Sequence, residues 1–432
     1  MPSVETFPRG ILMWRSTTHF LGGIGIAYLA VSLWKRFSTS RTEIINSEVE
    51  GPSMIEFHSE KDAMTSGKDF LKVYGLITLI LATLLFISGL FFRDIPYEKW
   101  YDNVFDSINF SFSTMGTGGF ATYDASAGIS IIENGVKTIG GLRNALDEWI
   151  LGTFMLIAGG NFGLWYVLIF QKKKWQLVFH NTELRAYLGL VSFLVISIWA
   201  ILVFHHVYPS VIDSLRYAFF NVATIISTTG LGNDDFTVWP AAASGILFIA
   251  YLVGGMVGST AGGPKILRFV ILFKYTLMKV KNFVFGKYKT RVRVDQTTYS
   301  ESNTGLVVVS ILIYYIIFLL GAVLILVLSP ENHLYDGTIK PIDFITGITA
   351  SIANLGNIGP VVAIGNINAG PAGNYFAFSE YAKIVMIILM FIGRVGVLTI
   401  MTLFVSNSGM DRMRESVYEH EFDSDEPLLL RK

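Results

Sequence analysis

Cysteine is absent from these 432 residues, and charge is scarce: Asp, Glu, Lys and Arg together make up 15% of the chain against 52% apolar types. Without thiols there are no disulfides and no thiolate metal sites. The seven histidines are scattered, leaving no cluster suited to metal catalysis. Basic and acidic residues balance at 33 each, so the charge footprint of a nucleic-acid binder is missing. So few charges do not cover a soluble protein of this size with polar surface. Met1 to Gly10 lacks the positive segment, short apolar run and small-residue cleavage site of a secretory leader.

Long apolar runs are what the chain does have. Seven stretches of about 20 or more mainly apolar residues are each long enough to cross a hydrocarbon core ~30 Å thick: Ile11 to Trp34, Phe70 to Phe92, Trp149 to Phe170, Leu184 to Val207, Ala241 to Tyr275, Leu306 to Leu328 and Tyr381 to Val405. The expected class is an all-α, multi-pass integral membrane protein whose first span is its own anchor, with lipid as a partner. Lysine and arginine collect after alternate spans: Lys35, Arg36 and Arg41; Lys172, Lys173 and Lys174; a stretch from Arg268 to Arg293; and Arg412 with Arg414. By the positive-inside rule these connections are cytoplasmic, the others are outside, and the N-terminus is outside. Trp100, Tyr101, Trp149 and Trp239 sit near the outer ends as expected interfacial anchors. Lys265 and Lys383, close to span ends, are expected to snorkel.

Each outer connection carries the same kind of segment, a short half-apolar run followed by small, glycine-containing backbone: Asp106 to Phe120, Tyr217 to Asn233 and Phe344 to Pro360. Aligned on Gly118, Gly230 and Gly356, the copies recur at 112 and 126 residues, each between two spans. The implied unit is helix, re-entrant half-helix with loop, helix. Irregular backbone at membrane depth must line a water-filled path or lie buried in protein. Such a loop can aim successive carbonyls at an axis, where they replace the hydration shell of a monovalent cation, and half-helix C-termini pointing there add negative potential. One span differs from the rest: Gly254 to Gly263 reads GGMVGSTAGG, which cannot hold a straight helix and is expected to break inside the membrane. Arg394 lies about ten or more residues from either end of its span, where an arginine costs at least ~2.5 kcal/mol and needs a cavity or partner.

These motifs carry a resemblance. The string PRGILMWRSTTHFLGGIGI (Pro8 to Ile26) is similar to the start of the second helix of the first repeat in the TrkH/KtrB family of the Trk/Ktr/HKT superfamily. The loops at Thr117 to Phe120, Ser227 to Gly230 (STTG) and Ala353 to Gly356 (ANLG) resemble that family's second, third and fourth filter loops, and GSTAGG with Gly393-Arg394 completes the set in order. The resemblance implies a pore-forming subunit of a Trk-type potassium uptake system: no enzyme, no bound cofactor, K+ as the transported ion. Thr117, Gly118, Thr229, Gly230, Leu355 and Gly356 are then the filter positions. Gly258, Ser259, Thr260, Gly262 and Gly263 form an intramembrane gate, with Arg394 near it as a charge barrier or a donor to freed carbonyls. Gly116 and Gly232 stand where the family more often has side chains, and Pro264 replaces an aliphatic residue.

The same resemblance implies a bacterial or archaeal inner-membrane location, a homodimer, and a cytoplasmic nucleotide-binding regulatory subunit of the TrkA/KtrA type. The family has four repeats around a pseudo-fourfold pore. This sequence begins where the second helix of the first repeat would start, so an in-frame upstream helix and first filter loop are expected. Residues 1–68 are then the remnant of the first repeat with a cytoplasmic loop, and 69–180, 181–300 and 301–432 are the second, third and fourth repeats. Asp234 and Asp235 outside the third loop are read as a solvated acidic pair, with concentration of cations at the mouth as the alternative, and His205 and His206 as interfacial residues. Two other readings stay open: a symporter coupled to protons or sodium, against which the lack of an evident carboxylate relay counts, and a non-transporting membrane scaffold, which gives the aligned loops no use.

Overall fold

Helix starts are set by short polar side chains placed just ahead of apolar runs. Asn144, Asn181, Ser210, Ser300, Asp343 and Ser379 each hold extended backbone and accept a hydrogen bond from a first-turn N–H, at 2.8–3.2 Å. The computed structural model describes residues 4–37, 67–92, 99–128, 130–133, 136–139, 144–171, 174–286, 291–295, 297–333, 339–362 and 375–397.

The fold is almost wholly helical. Helix α1 (Arg9–Phe37) is followed by α2 (Gly67–Phe91), α3 (Trp100–Met115), α4 (Ala145–Ala158), α5 (Phe162–Phe170), α6 (Trp175–His180), α7 (Thr182–Phe204), α8 (Val211–Ile226), α9 (Ala241–Leu252), α10 (Ile266–Phe285), α11 (Glu301–Leu328), α12 (Phe344–Leu355) and α13 (Glu380–Val395). Three antiparallel hairpins, β1–β2 (Ser130–Glu133, Val136–Ile139), β3–β4 (Val292–Val294, Thr297–Tyr299) and β5–β6 (Glu331–His333, Ile339–Pro341), sit in connections. The short helices α3, α8 and α12 each pack between two neighbours, α2 and α4, α7 and α9, α11 and α13, and α1 lies against α2 and α3. This is the expected helix, half-helix, helix unit three times over. Their interiors form two large apolar clusters, one around Phe70, Phe110 and Phe162, the other running from Tyr187 through Phe236 and Tyr251 to Leu389.

Among the described residues, three helical segments are long and apolar enough to cross a membrane by themselves: Asp69–Phe91, Thr182–Phe204 and Asn303–Leu328. They present Leu79, Phe193 and Leu319 outward at 56–65% exposure, a girdle that needs lipid to cover it. Two expected spans are not straight. The third is bent by 105° between α4 and α5, because Gly159, Gly160 and Asn161 interrupt it and the Asn161 side chain starts a new helix by accepting from Gly163 N at 2.7 Å. The fifth stops at Leu252 and resumes at Ile266, so its glycine-rich middle is non-helical as the composition required. The end of the seventh span, the basic residues Arg41, Lys172, Lys173, Lys287, Lys289, Arg412 and Arg414, and the side chains of Lys35 and Arg36 lie outside the described residues.

Candidate functional site

The three half-helices end in one and the same way. The caps Gly116, Ser227 and Gly356 stay in right-handed helical conformation, and their N–H groups donate to Phe112, Ala223 and Ile352 at 3.0, 3.1 and 2.8 Å. The next residue crosses to positive φ each time: Thr117 (50°), Thr228 (56°) and Asn357 (56°). The following N–H groups, of Gly118, Thr229 and Ile358, reach back five residues to Ser113, Thr224 and Ala353 at 2.8, 2.9 and 2.8 Å. Then comes a glycine at positive φ: Gly119 (70°), Gly230 (82°) and Gly359 (101°). This is a Schellman-type end that satisfies the last helical carbonyls and turns the chain out of the helix.

That geometry corrects the register read from the sequence. Gly230 is matched by Gly119 and Gly359, one residue beyond Gly118 and three beyond Gly356. Leu355 is the last residue of α12, equivalent to Met115 and Ile226, and Gly356 is a helix cap; the positions equivalent to Thr229 are Gly118 and Ile358. Aligning on any glycine in ANLGNIG allowed two choices, and only the backbone conformation separates them. Asn357 stands two before Gly359 just as Asn354 stands two before Gly356, so residue type leaves the choice open.

The loops stand side by side in chain order. A Cβ placed on Gly119 would overlap the carbonyl of Thr229, and one on Gly230 would overlap that of Ile358 and meet the ring of Pro360 at 3.1 Å. Glycine is therefore needed twice over, for φ and for space. The outer flank of the Gly119 loop meets α1: a Cβ on Gly118 would collide with the His19 ring, which lies 3.9 Å from the Phe120 ring, and Arg15 donates to Ala121 O at 2.8 Å while covering Phe120. Between the Gly119 and Gly359 loops the arc stays open into a cavity of about 790 Å³, lined among others by His19, Thr117, Asn357, Ile358, Lys383 and Arg394.

The non-helical segment from Val253 to Lys265 lies directly against the inner ends of all three half-helices. Thr260 Oγ1 donates within reach of Met115 O (3.0 Å) and Ala158 O (3.2 Å), Gly262 N donates to Thr228 Oγ1 (2.6 Å), and a Cβ on Gly262 would come within 2.5 Å of Gly356 O. Thr117 Oγ1 donates to Thr260 O at 2.7 Å, and Arg394 Nη1 donates to the same oxygen at 2.8 Å. A left-handed residue costs roughly 1–2 kcal/mol, and the β-branched Thr117 and Thr228 hold that conformation while their hydroxyls are bound to this segment. Gly258 (72°) and Gly263 (69°) take positive φ within it, and Ser259 Oγ bonds back to Met256 O at 2.6 Å. Thr117 and Arg394 thus meet at the carbonyl of Thr260, Leu355 O lies against Gly393, and Arg394 is half-buried at the cavity wall.

Other placements differ from the sequence reading. Lys265 does not snorkel; it is buried and donates to Ala261 O at 2.6 Å, which neutralises a carbonyl the broken helix leaves free. Trp239 is buried at 4% exposure, donating to Tyr208 and Asp234 at 2.8 Å, so it anchors a loop and not an interface. Asp234 is no freely solvated acid: it also accepts from the Tyr208 hydroxyl, and burial raises its carboxyl pKa above the ordinary value, whereas Asp235 is exposed and caps a short turn. Sequence reasoning missed Glu183, whose buried carboxylate accepts from Val257 N at 2.7 Å and holds the non-helical segment, and Glu148, buried beside the third loop. Each was hidden as the acidic first-turn residue of an apolar helix. Among the described residues no group of His, Asp and Glu is arranged to hold a metal ion.

Comparison with known proteins gives one consistent result. Residues 1–414 match the TrkH family, described as cation transport protein. The Trk system potassium uptake protein TrkH of Salmonella typhimurium is 29% identical over 281 residues, 65% of this chain and 53% of that protein. The corresponding TrkG of Escherichia coli K12 is 30% identical over 271 residues, 63% of this chain and 50% of its own length. The chain spans about half the length of the curated relatives it matches. The crystal structure of the potassium transporter TrkH from Vibrio parahaemolyticus superposes with a TM-score of 0.71 at 22% identity, covering 94% of this chain and 74% of that one.

Proposed function

Because the chain belongs to the TrkH family of cation transport proteins, we propose that it is the pore-forming part of a potassium uptake system, passing K+ through a filter of peptide oxygens above an intramembrane gate. The observation that carries this reading is the threefold repetition of one helix ending, with equivalent glycines at 119, 230 and 359 in adjoining loops. Helix C-termini bring partial negative charge to that locus without any fixed acid, and carbonyls of Gly118, Thr229 and Ile358 are the equivalent oxygens available to strip water from a cation. Thr117, Gly119, Thr228, Gly230, Asn357 and Gly359 complete the lining.

The segment from Gly254 to Gly263 is the gate in this reading, closed by its bonds to Thr117, Thr228 and Arg394. The protein's location is the bacterial or archaeal inner membrane, and a second copy of the chain and a nucleotide-binding regulatory subunit on the cytoplasmic side are the partners it would take. The test is flux: proteoliposomes holding the chain and loaded with K+ should release it down its gradient faster than Na+ under matched conditions, with no requirement for an imposed proton or sodium gradient. K+ release no faster than from empty vesicles would overturn the assignment, and flux that stops without a second gradient would replace the pore by coupled transport.

A further inference from the structure

Three residues past each filter glycine, the chain is tied back to its own half-helix. Thr122 Oγ1 donates to Asp106 Oδ1 at 2.8 Å, Asn221 Nδ2 donates to Asn233 Oδ1 at 3.0 Å, and Thr349 Oγ1 donates to Val362 O at 3.0 Å. The brace at the third loop goes further and crosses into the preceding unit. Asn233 Nδ2 donates to Glu148 Oε2 at 2.6 Å, and Glu148, on the first turn of α4, is 7% exposed. The same carboxylate oxygen lies 3.3 Å from Nε of Arg216 on α8, whose Nη2 is 3.0 Å from Asp213 Oδ1 and whose guanidinium covers the Tyr217 ring. Backbone contacts run parallel to it: Ala127 N donates to Gly232 O at 2.8 Å and Gly232 N to Ser126 Oγ at 3.0 Å.

A buried ion pair gives little net stability over apolar packing of the same volume, so stability does not account for it. What it does supply is a fixed direction. Asn233 has both ends of its amide committed, one to its own half-helix and one to a charge on the neighbouring unit, and it stands three residues from Gly230. We propose that Glu148 is a positioning residue for ion selection: through Asn233, and itself oriented by Arg216, it locks the exit of the third loop so that the peptide oxygens around Gly230 stay at the wider spacing of K+ and do not contract onto Na+. Glu148 touches no ion in this arrangement. The inference rests on the transport reading above.

The test compares reversal potentials of the full chain in planar bilayers with K+ on one side and Na+ on the other, for the wild type, Glu148→Gln and Asn233→Ala. Each variant should lower the K+ over Na+ permeability ratio about tenfold or more, the scale of one lost charge-assisted hydrogen bond, with total monovalent current retained. A merely structural role would reduce both currents in proportion and leave the ratio in place, which would overturn the proposal. If Glu148→Gln fails to fold because Arg216 keeps only Asp213 as a partner, Asn233→Ala decides alone, since it removes the link and keeps the ion pair; an unchanged ratio there overturns the proposal. A wild type that carries no K+-selective current would instead overturn the transport reading beneath it.

Discussion

Removing the Arg394 side chain should open the pathway. Its Nη1 and the hydroxyl of Thr117 both donate to Thr260 O, at 2.8 and 2.7 Å, so one peptide oxygen of the non-helical segment is pinned from α13 and from the Gly119 loop. A hydrogen bond from a charged donor is worth ~1.5–3 kcal/mol and a neutral one ~0.5–1.5. At about 1.4 kcal/mol per factor of ten, Arg394→Ala should weaken the closed arrangement about 10- to 150-fold, and Thr117→Val about 2- to 10-fold. Loss of a positive charge beside the cavity acts in the same direction on a passing cation. Arg394→Gln separates the two effects, because it keeps an amide donor and discards the charge. The assay is the initial rate of K+ efflux from proteoliposomes, normalised to protein that elutes as a single species in detergent. Flux should rise in the order wild type, Thr117→Val, Arg394→Gln, Arg394→Ala. With two donors sharing one acceptor, the double variant should depart from additivity by ~0.5 kcal/mol or more. Unchanged or reduced flux in folded Arg394→Ala would refute the reasoning.

The corrected loop register predicts opposite outcomes for two neighbouring glycines: Gly359→Ala, at φ 101°, should abolish K+-selective flux at a strain of roughly 1–2 kcal/mol, whereas Gly356→Ala, a cap at φ −76° whose new methyl meets Ile352 O and the Ile358 side chain at 3.0 Å each, should keep it, as flux measurements on both would establish. Glu183→Ala removes the acceptor of Val257 N and should loosen the intramembrane segment, raising K+ efflux in the same proteoliposome assay. Tyr251→Phe deletes the buried 3.0 Å bond to Pro360 O and should cost ~1–3 kcal/mol, read as a lower thermal unfolding midpoint in detergent with the helical content unchanged.

Much of this protein is set by local pattern. The long apolar runs with capping residues ahead of them dictate helices whose outer faces need lipid, and the density of glycine from Gly254 to Gly263 forbids helix there, because backbone entropy and missing side chains act within a few residues. The recurrence of three short amphipathic segments is likewise visible in the letters. Arg394 in an apolar helix announces a partner without naming it, since the cost of the charge is local while the oxygen that answers it is 134 residues away.

Tertiary structure decided the rest. Which glycine of ANLGNIG matches Gly230 depends on backbone dihedral angles that no residue type fixes alone, and Gly118 owes its small size to the His19 ring, which only folding brings there. The burial of Lys265 and Trp239 is set by what packs over them, and the assembly of Glu148, Arg216 and Asn233 arises where separate units meet. The sequence alone determined the elements and their threefold repetition, since propensity and hydrophobic period are short-range. The geometry at the junctions was decided by packing, because hydrogen bonds between chemically ordinary residues acquire their meaning from distance in space and not from spacing along the chain.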